Sequence, residues 1–209
     1  MKIAVLAANG AAGSAIVKEA VARGHQVTAV VRSQKPTVAQ EILIKDIMGL
    51  TKEDLADFDA VVTAFGAFTP ESLPQHTTTI EHVAGLLAGT DVRYYLVGGA
   101  GSLYMDKEHS MQLSQTPDFP EDFKPLAEAM AAGLNRLRDF NTVNWTYVSP
   151  AADFEVDYPR TGRYQLAGEE FTVNEAGESK LSYADYATAM VDVIESGKHN
   201  QERISVIGV

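Results

Sequence analysis

Two rhythms of apolar residues alternate along the chain. One is the short unbroken run: Ile3 to Leu6, Val27 to Val31, Ile42 to Ile44, Ala60 to Ala64, Arg93 to Val97 and Trp145 to Val148 lack the polar alternation of a half-solvated strand. Such runs predict strands buried on both faces of a parallel sheet. The other rhythm is helical. Ile16 with Ala20, and Val17 with Val21, predict a helix from Ser14 that stops at Arg23, before a glycine at position 24 suited to a left-handed C-terminus. Thr51 with Asp54 forms a capping-box pattern for a short helix through Phe58. Ile80, Val83, Ala84 and Leu87 mark one face of a helix over Pro74 to Gly89. Leu126, Met130, Leu134 and Leu137 mark another over Phe123 to Phe140, with Pro125 in its first turn.

Past the sixth run the alternation loosens. Tyr164 to Ala167 and Phe171 to Val173 read as short strands with a turn at Asn174 to Gly177, followed by a helix over Ser182 to Ser196 and a last strand over Ile204 to Ile207. No repeat or linker divides the chain, and its 209 residues suit one large domain better than two. The predicted architecture is α/β, a Rossmann-type doubly wound, mainly parallel sheet in a single domain over residues 1–209. Residues from about 150 onward would add a small substrate-side cap.

The opening strand–turn–helix–strand unit carries the first candidate chemistry. Its turn runs Ala7-Ala8-Asn9-Gly10-Ala11-Ala12-Gly13. The exposed N–H groups of a helix start attract a pyrophosphate, and residues without bulky side chains let it approach the backbone, the role for which Gly10 and Gly13 are placed. Ala7 replaces the first glycine of a GxxGxxG pattern, a tolerable change where that residue needs no positive φ. This predicts a dinucleotide site. The competing reading is that small residues only let the helix pack tightly on the strand.

Where an NAD site usually places an acid after the second strand, this chain has Arg32 and Ser33, with Lys35 close behind. Arg32 can fork onto a 2′-phosphate and Ser33 can add a donor, so the expected cofactor is NADP, with NADPH preferred over NADH. The pair stands out because the whole chain carries a net charge of −11, a balance that disfavours nucleic acid and anionic membrane as partners. Cysteine is absent, which excludes disulfides, thiolate metal sites and a cysteine nucleophile. His76 and His82 fall on different faces of one helix and His109 lies alone in a polar loop, so no metal site is expected. With neither a leader pattern nor an apolar run of ~18 residues, the chain is expected to be cytoplasmic.

Other candidates follow the strands. Asp46, after the third strand, is placed either to meet an adenine amino group or to cap its own loop. Gly98-Gly99-Ala100-Gly101-Ser102 is a longer glycine-rich opening than a turn needs; it lets the backbone pass close to a flat ligand and brings Ser102 toward the cofactor's reactive end, unless that hydroxyl caps local backbone. The loop from Tyr104 to Asp122 would be a lid or a substrate wall.

These segments together resemble the atypical short-chain dehydrogenase/reductase superfamily, and within it the NmrA-like and NADH-flavin reductase or biliverdin-IXβ/flavin reductase type. The resemblance rests on AANGAAGS at the turn, RGHQVTAVVR, LVGGAGSL, FKPLAEAMAAGLNRLR, NWTYVSPA and LSYADYATAMVDVIE. It implies that Asn9, Gly10, Ala11 and Ala12 hold the pyrophosphate and Arg32 and Ser33 the 2′-phosphate. It further implies that Asp46 and Ile47 flank the adenine, while Ala64, Phe65, Gly66, Gly98 and Pro150 line the ribose and nicotinamide path. The superfamily's Tyr-x-x-x-Lys pair is missing: Pro120 stands four before Lys124, and no tyrosine has a lysine four residues on. Proton delivery to a simple carbonyl is thereby disfavoured.

Two functions remain. One is NADPH-dependent reduction of flavin, taken as substrate, or of a quinone-like acceptor, with Ser102 orienting a ligand and Lys124 supporting the ribose. The other is NADP binding without turnover, as a redox sensor of NmrA type. Nucleotide-sugar epimerisation is a third, weaker alternative because it normally needs the missing tyrosine. The expected partner is a small-molecule acceptor, and the chain would act as a monomer or homodimer.

Overall fold

In the structure, a computed structural model that describes residues 1–209, the first strand β1 (Lys2–Leu6) lies inside the sheet. It is followed by α1 (Ala11–Ala22), β2 (Gln26–Val31), β3 (Glu41–Ile44), α2 (Lys52–Leu55), β4 (Ala60–Thr63), α3 (Gln75–Leu87) and β5 (Arg93–Val97). Then come α4 (Lys124–Leu137), β6 (Asn144–Ser149), β7 (Asp153–Glu155), β8 (Tyr164–Ala167), β9 (Lys180–Ser182), α5 (Tyr183–Ser196) and β10 (Glu202–Gly208). The strand order is β3-β2-β1-β4-β5-β6-β10-β8, parallel throughout except that β8 runs against β10. A chain that leaves β1 toward β2 and later returns to β4 on its other side reverses direction at β1/β4, and a crevice opens there at the strands' C-terminal ends.

The unbroken apolar runs are explained by two cores. Ile3 and Val5 face one side with Ile16 and Val17 of α1 and Met190 and Ile194 of α5. Ala4 and Leu6 face the other with Leu55, Ile80, Val83 and Leu134. Each β1 residue from Ile3 to Leu6 is 0% exposed, so a polar residue at any of them would be buried without a partner.

Two expectations about elements are corrected. Helix α1 starts at Ala11, three residues before Ser14, because Gly10 already holds the extended conformation of a helix cap. Phe171 to Val173 form no strand; the Phe171 amide donates instead to the Tyr104 carbonyl at 2.7 Å, tying that segment to the long loop. Beyond residue 150, α5 is buried on most of its surface and packs beside α1. That segment also contains an unforeseen parallel pair, β7 with β9.

The loop after Tyr104 is closely pinned. Ser114 donates to the Gly101 carbonyl and Leu113 to the Leu103 carbonyl, each at 2.8 Å, while the Asp106 carboxylate accepts from the Ser110 and Met111 amides. Leu113, Thr116, Phe119 and Pro120 turn inward from it.

Candidate functional site

A cavity of about 1100 Å³ runs along the crevice at the ends of β1 and β4. Its two ends are made differently. At one end the wall is the turn from Ala7 to Ala12, with Arg32, Ser33 and Lys35 beyond β2 and Asp46, Ile47 and Met48 beyond β3. No side chain caps the start of α1, so the first-turn N–H groups face the cavity without a protein partner. That is the arrangement which binds an anion. Asn9 buttresses it from the side: its amide nitrogen donates to the Ser33 carbonyl at 2.8 Å and joins the turn after β1 to the turn after β2.

The glycine pattern needs two corrections. Ala7 has φ +58°, the left-handed region, so it does occupy a conformation that a glycine would hold without strain. Its carbonyl accepts from Gly10 N–H at 3.0 Å, closing the turn. Gly13 is buried and does not line the cavity; a Cβ there would stand 2.7 Å from the Ala7 oxygen and 2.9 Å from the Ala8 Cα. Its role is close packing of helix on turn. Of the two glycines of the turn, Gly10 alone is on the cavity wall, where a Cβ would stand in ordinary contact, 3.4 Å from the Ala7 oxygen.

Arg32, Ser33 and Lys35 are exposed and converge on the same end. Lys45, also on this wall, is engaged with Asp54. Asp46 accepts from the Met48 amide at 2.9 Å, capping the turn that presents Ile47, so one of its carboxylate oxygens is already used locally.

The other end is walled by side chains. Phe65 and Phe68 come from the loop after β4, Phe119 from the long loop, and Phe123, Leu126 and Met130 from the head of α4. Phe68 and Phe123 are 75% and 58% exposed, unusually open for aromatic rings, and both sit on the cavity wall. Ala64, Gly66, Gly98 and Pro150 form the stretch between the ends. Gly98 permits this course because a Cβ there would fall 2.2 Å from the Tyr147 ring.

The two residues expected to do chemistry have different surroundings from those anticipated. Lys124 pairs with Glu121 one helical turn back and does not line the cavity. Ser102 does line it, 5% exposed, with its oxygen accepting from Arg203 at 2.9 Å.

The strand-by-strand reading missed several side chains. His76 lies on the cavity wall, its Nε2–H donating to the Ala67 carbonyl at 3.0 Å. Burial lowers its pKa, with the Ala67 bond opposing, so the ring is neutral. Its position four before Ile80 on the buried face of α3 was a readable sign. Tyr183 lines the opposite wall and stacks on Phe154 at 3.9 Å. His82 donates to or accepts from no cavity group; it meets the Leu50 carbonyl at 3.1 Å. His109 meets Glu170 at 2.8 Å and stacks on Tyr104.

An uncapped helix start at the switch point of a 3-2-1-4-5-6 sheet, a turn without side-chain bulk at Gly10 and a cluster of cations past β2 define a dinucleotide-binding protein, and the residues present fit such a ligand. The NAD(P)H-binding family matches residues 7–197, and the chain belongs to that family. It is 41% identical over 210 residues to the uncharacterized protein YwnB of Bacillus subtilis, covering 99% of this chain and 98% of that one. A crystal structure from Streptococcus pneumoniae, of a protein provisionally named an NADH-flavin reductase, superposes with a TM-score of 0.98 at 57% identity over the full length of both chains. One from Bacteroides thetaiotaomicron, provisionally named an epimerase, matches at 0.84 and 33% identity, covering 100% of this chain and 97% of that one. Relatives of one fold thus carry names for different reactions, and the reaction has to be argued from the site. No helix is long and apolar enough to cross a membrane.

Proposed function

We propose that the chain is an NADPH-dependent reductase of flavin or a quinone-like conjugated acceptor. The observation that carries this reading is the acceptor end of the cavity: aromatic and thioether side chains surround it, and the Tyr–Lys proton-delivery pair is absent. Bound NADPH would supply a hydride. The chain's own residues bind and orient. Gly10 and the first turn of α1 hold the pyrophosphate, Arg32 and Ser33 distinguish the 2′-phosphate, and Phe65 and Pro150 confine the path toward the acceptor. Phe68 and Phe123 offer flat faces for a ring to lie against. A conjugated acceptor spreads incoming charge over its ring and takes its proton from solvent at the open mouth, so positioning is the main demand on the protein.

The streptococcal relative's name supports the reaction class, although it specifies NADH. The test is steady-state oxidation of NADPH and NADH with riboflavin and with menadione, followed by loss of reduced-nicotinamide absorbance. Turnover with a kcat/KM at least about tenfold higher for NADPH is expected, a gap of roughly 1.4 kcal/mol. Tight NADPH binding with no turnover on any flavin or quinone would favour a redox sensor instead.

A further inference from the structure

Arg203 stands on β10 in register with Tyr147 and is 3% exposed among apolar strands. Its Nη1 donates to both the carbonyl and the hydroxyl oxygen of Ser102, each at 2.9 Å. Its Nη2 donates to the Glu169 carbonyl at 3.2 Å and to the Glu169 carboxylate. Arg138 grips the same carboxylate from the solvent side at 2.9 and 3.0 Å. Burial pulls the Arg203 pKa down and Glu169 opposes it, yet a guanidinium remains charged. A buried cation carries a large desolvation cost, offset here by the Glu169 carboxylate, and the other arm of the guanidinium is spent on the Ser102 carbonyl and hydroxyl.

The direction of that bond has a chemical consequence. A guanidinium only donates, so the Ser102 oxygen accepts and its proton must point elsewhere. Within the protein the Ser102 hydroxyl bonds to Arg203 and donates to nothing. It is buried, it lines the cavity, and it follows Gly98 to Gly101, whose backbone sets its position.

We propose that Arg203 is a positioning residue that makes Ser102 an obligate hydrogen-bond donor to the bound acceptor. The O–H is directed into the cavity, toward the carbonyl oxygen or ring nitrogen on which negative charge gathers as the acceptor is reduced. The guanidinium withdraws density from the same oxygen and strengthens the donor. The acceptor class is narrowed accordingly to conjugated rings bearing an edge carbonyl or imine-type nitrogen.

The inference rests on the reductase reading for its kinetic arm and is independent of it for a second arm. In the kinetic arm, Ser102→Ala, Arg203→Met and their double variant are compared with wild type using riboflavin and menadione. Each single change is expected to lower kcat about 10- to 100-fold with KM and NADPH Kd within about threefold, and the double variant to be no worse than either, as for groups acting as one unit. Arg203→Lys should recover most of kcat. Multiplicative losses in the double variant, or full kcat in Arg203→Met, overturn the proposal.

The second arm uses the absence of cysteine, which makes a thiol at position 102 the only one in the chain. The thiolate absorbance of Ser102→Cys is titrated with and without Arg203→Met, in variants whose thermal unfolding shows them folded. Arg203 should hold the thiol pKa at least about one unit lower than in its absence, because a cation favours the thiolate. Identical titrations overturn the proposal whatever the acceptor. A clear shift in a protein that turns over no flavin or quinone leaves the Arg203–Ser102 pair standing and removes the reductase reading.

Discussion

The two ends of the cavity solve different problems with different materials. At the helix-start end the wall is mostly backbone, an uncapped helix start and a closed turn, with two exposed cationic side chains beside it. At the aromatic end the wall is made of side chains brought from the β4–α3 loop, the long loop and α4, with Arg203 of β10 behind Ser102. A backbone cradle serves any chain that binds this cofactor.

Substitutions at the two ends should therefore separate cleanly. The largest effect is expected from Gly13→Val. Its Cβ would strike backbone atoms of Ala7 and Ala8 that cannot yield, costing about 1–3 kcal/mol of stability and displacing the phosphate-facing turn. Calorimetric unfolding and NADPH titration would read both losses, and normal NADPH affinity in this variant would break the account of the turn. Next comes Arg32→Ala, expected to weaken NADPH by roughly 10- to 100-fold while leaving NADH affinity unchanged, given about 1.5–3 kcal/mol for charge-assisted hydrogen bonds. A parallel loss for NADH would assign Arg32 to something other than the 2′-phosphate.

At the opposite end, Phe68→Ala and Phe123→Ala should each raise KM for riboflavin about 3- to 10-fold with NADPH Kd unchanged, the scale of about 0.5–1.5 kcal/mol for an aromatic pair. Changes confined to NADPH binding would place these rings at the wrong end. The smallest effect is a gain. Ala7→Gly relieves a left-handed alanine, and the relief of about 1–2 kcal/mol is partly offset by the freer unfolded chain. A rise in Tm of about 2–4 °C is expected for each net 1 kcal/mol in a chain of this size.

Legibility in the sequence follows the same division. The β1–α1–β2 unit, the order of buried strands and the Arg32 cluster could be read because each is local: an apolar run, a four-residue spacing, a residue type next to a strand end. The capping box of Thr51 and Asp54 is present as expected for the same reason. The positive φ of Ala7 was hidden, because composition alone does not say whether an alanine is strained. The β7 and β9 strands were hidden by their length, three residues each, and by a pairing across an intervening segment that includes β8. Arg203 follows Glu202 at the head of the last strand, and nothing local in the sequence marks it as buried. Its burial depends on Ser102, Glu169 and Tyr147, which no periodicity links to it.

The position of β10 adds a matter of timing. It is the last strand in chain order, yet it lies between β6 and β8. The residues at the helix-start end of the cavity are all made before residue 50, whereas the loop carrying Ser102 waits for a guanidinium that is 101 residues downstream. On the reductase reading, the residues that hold the cofactor would be made well before the one that orients Ser102.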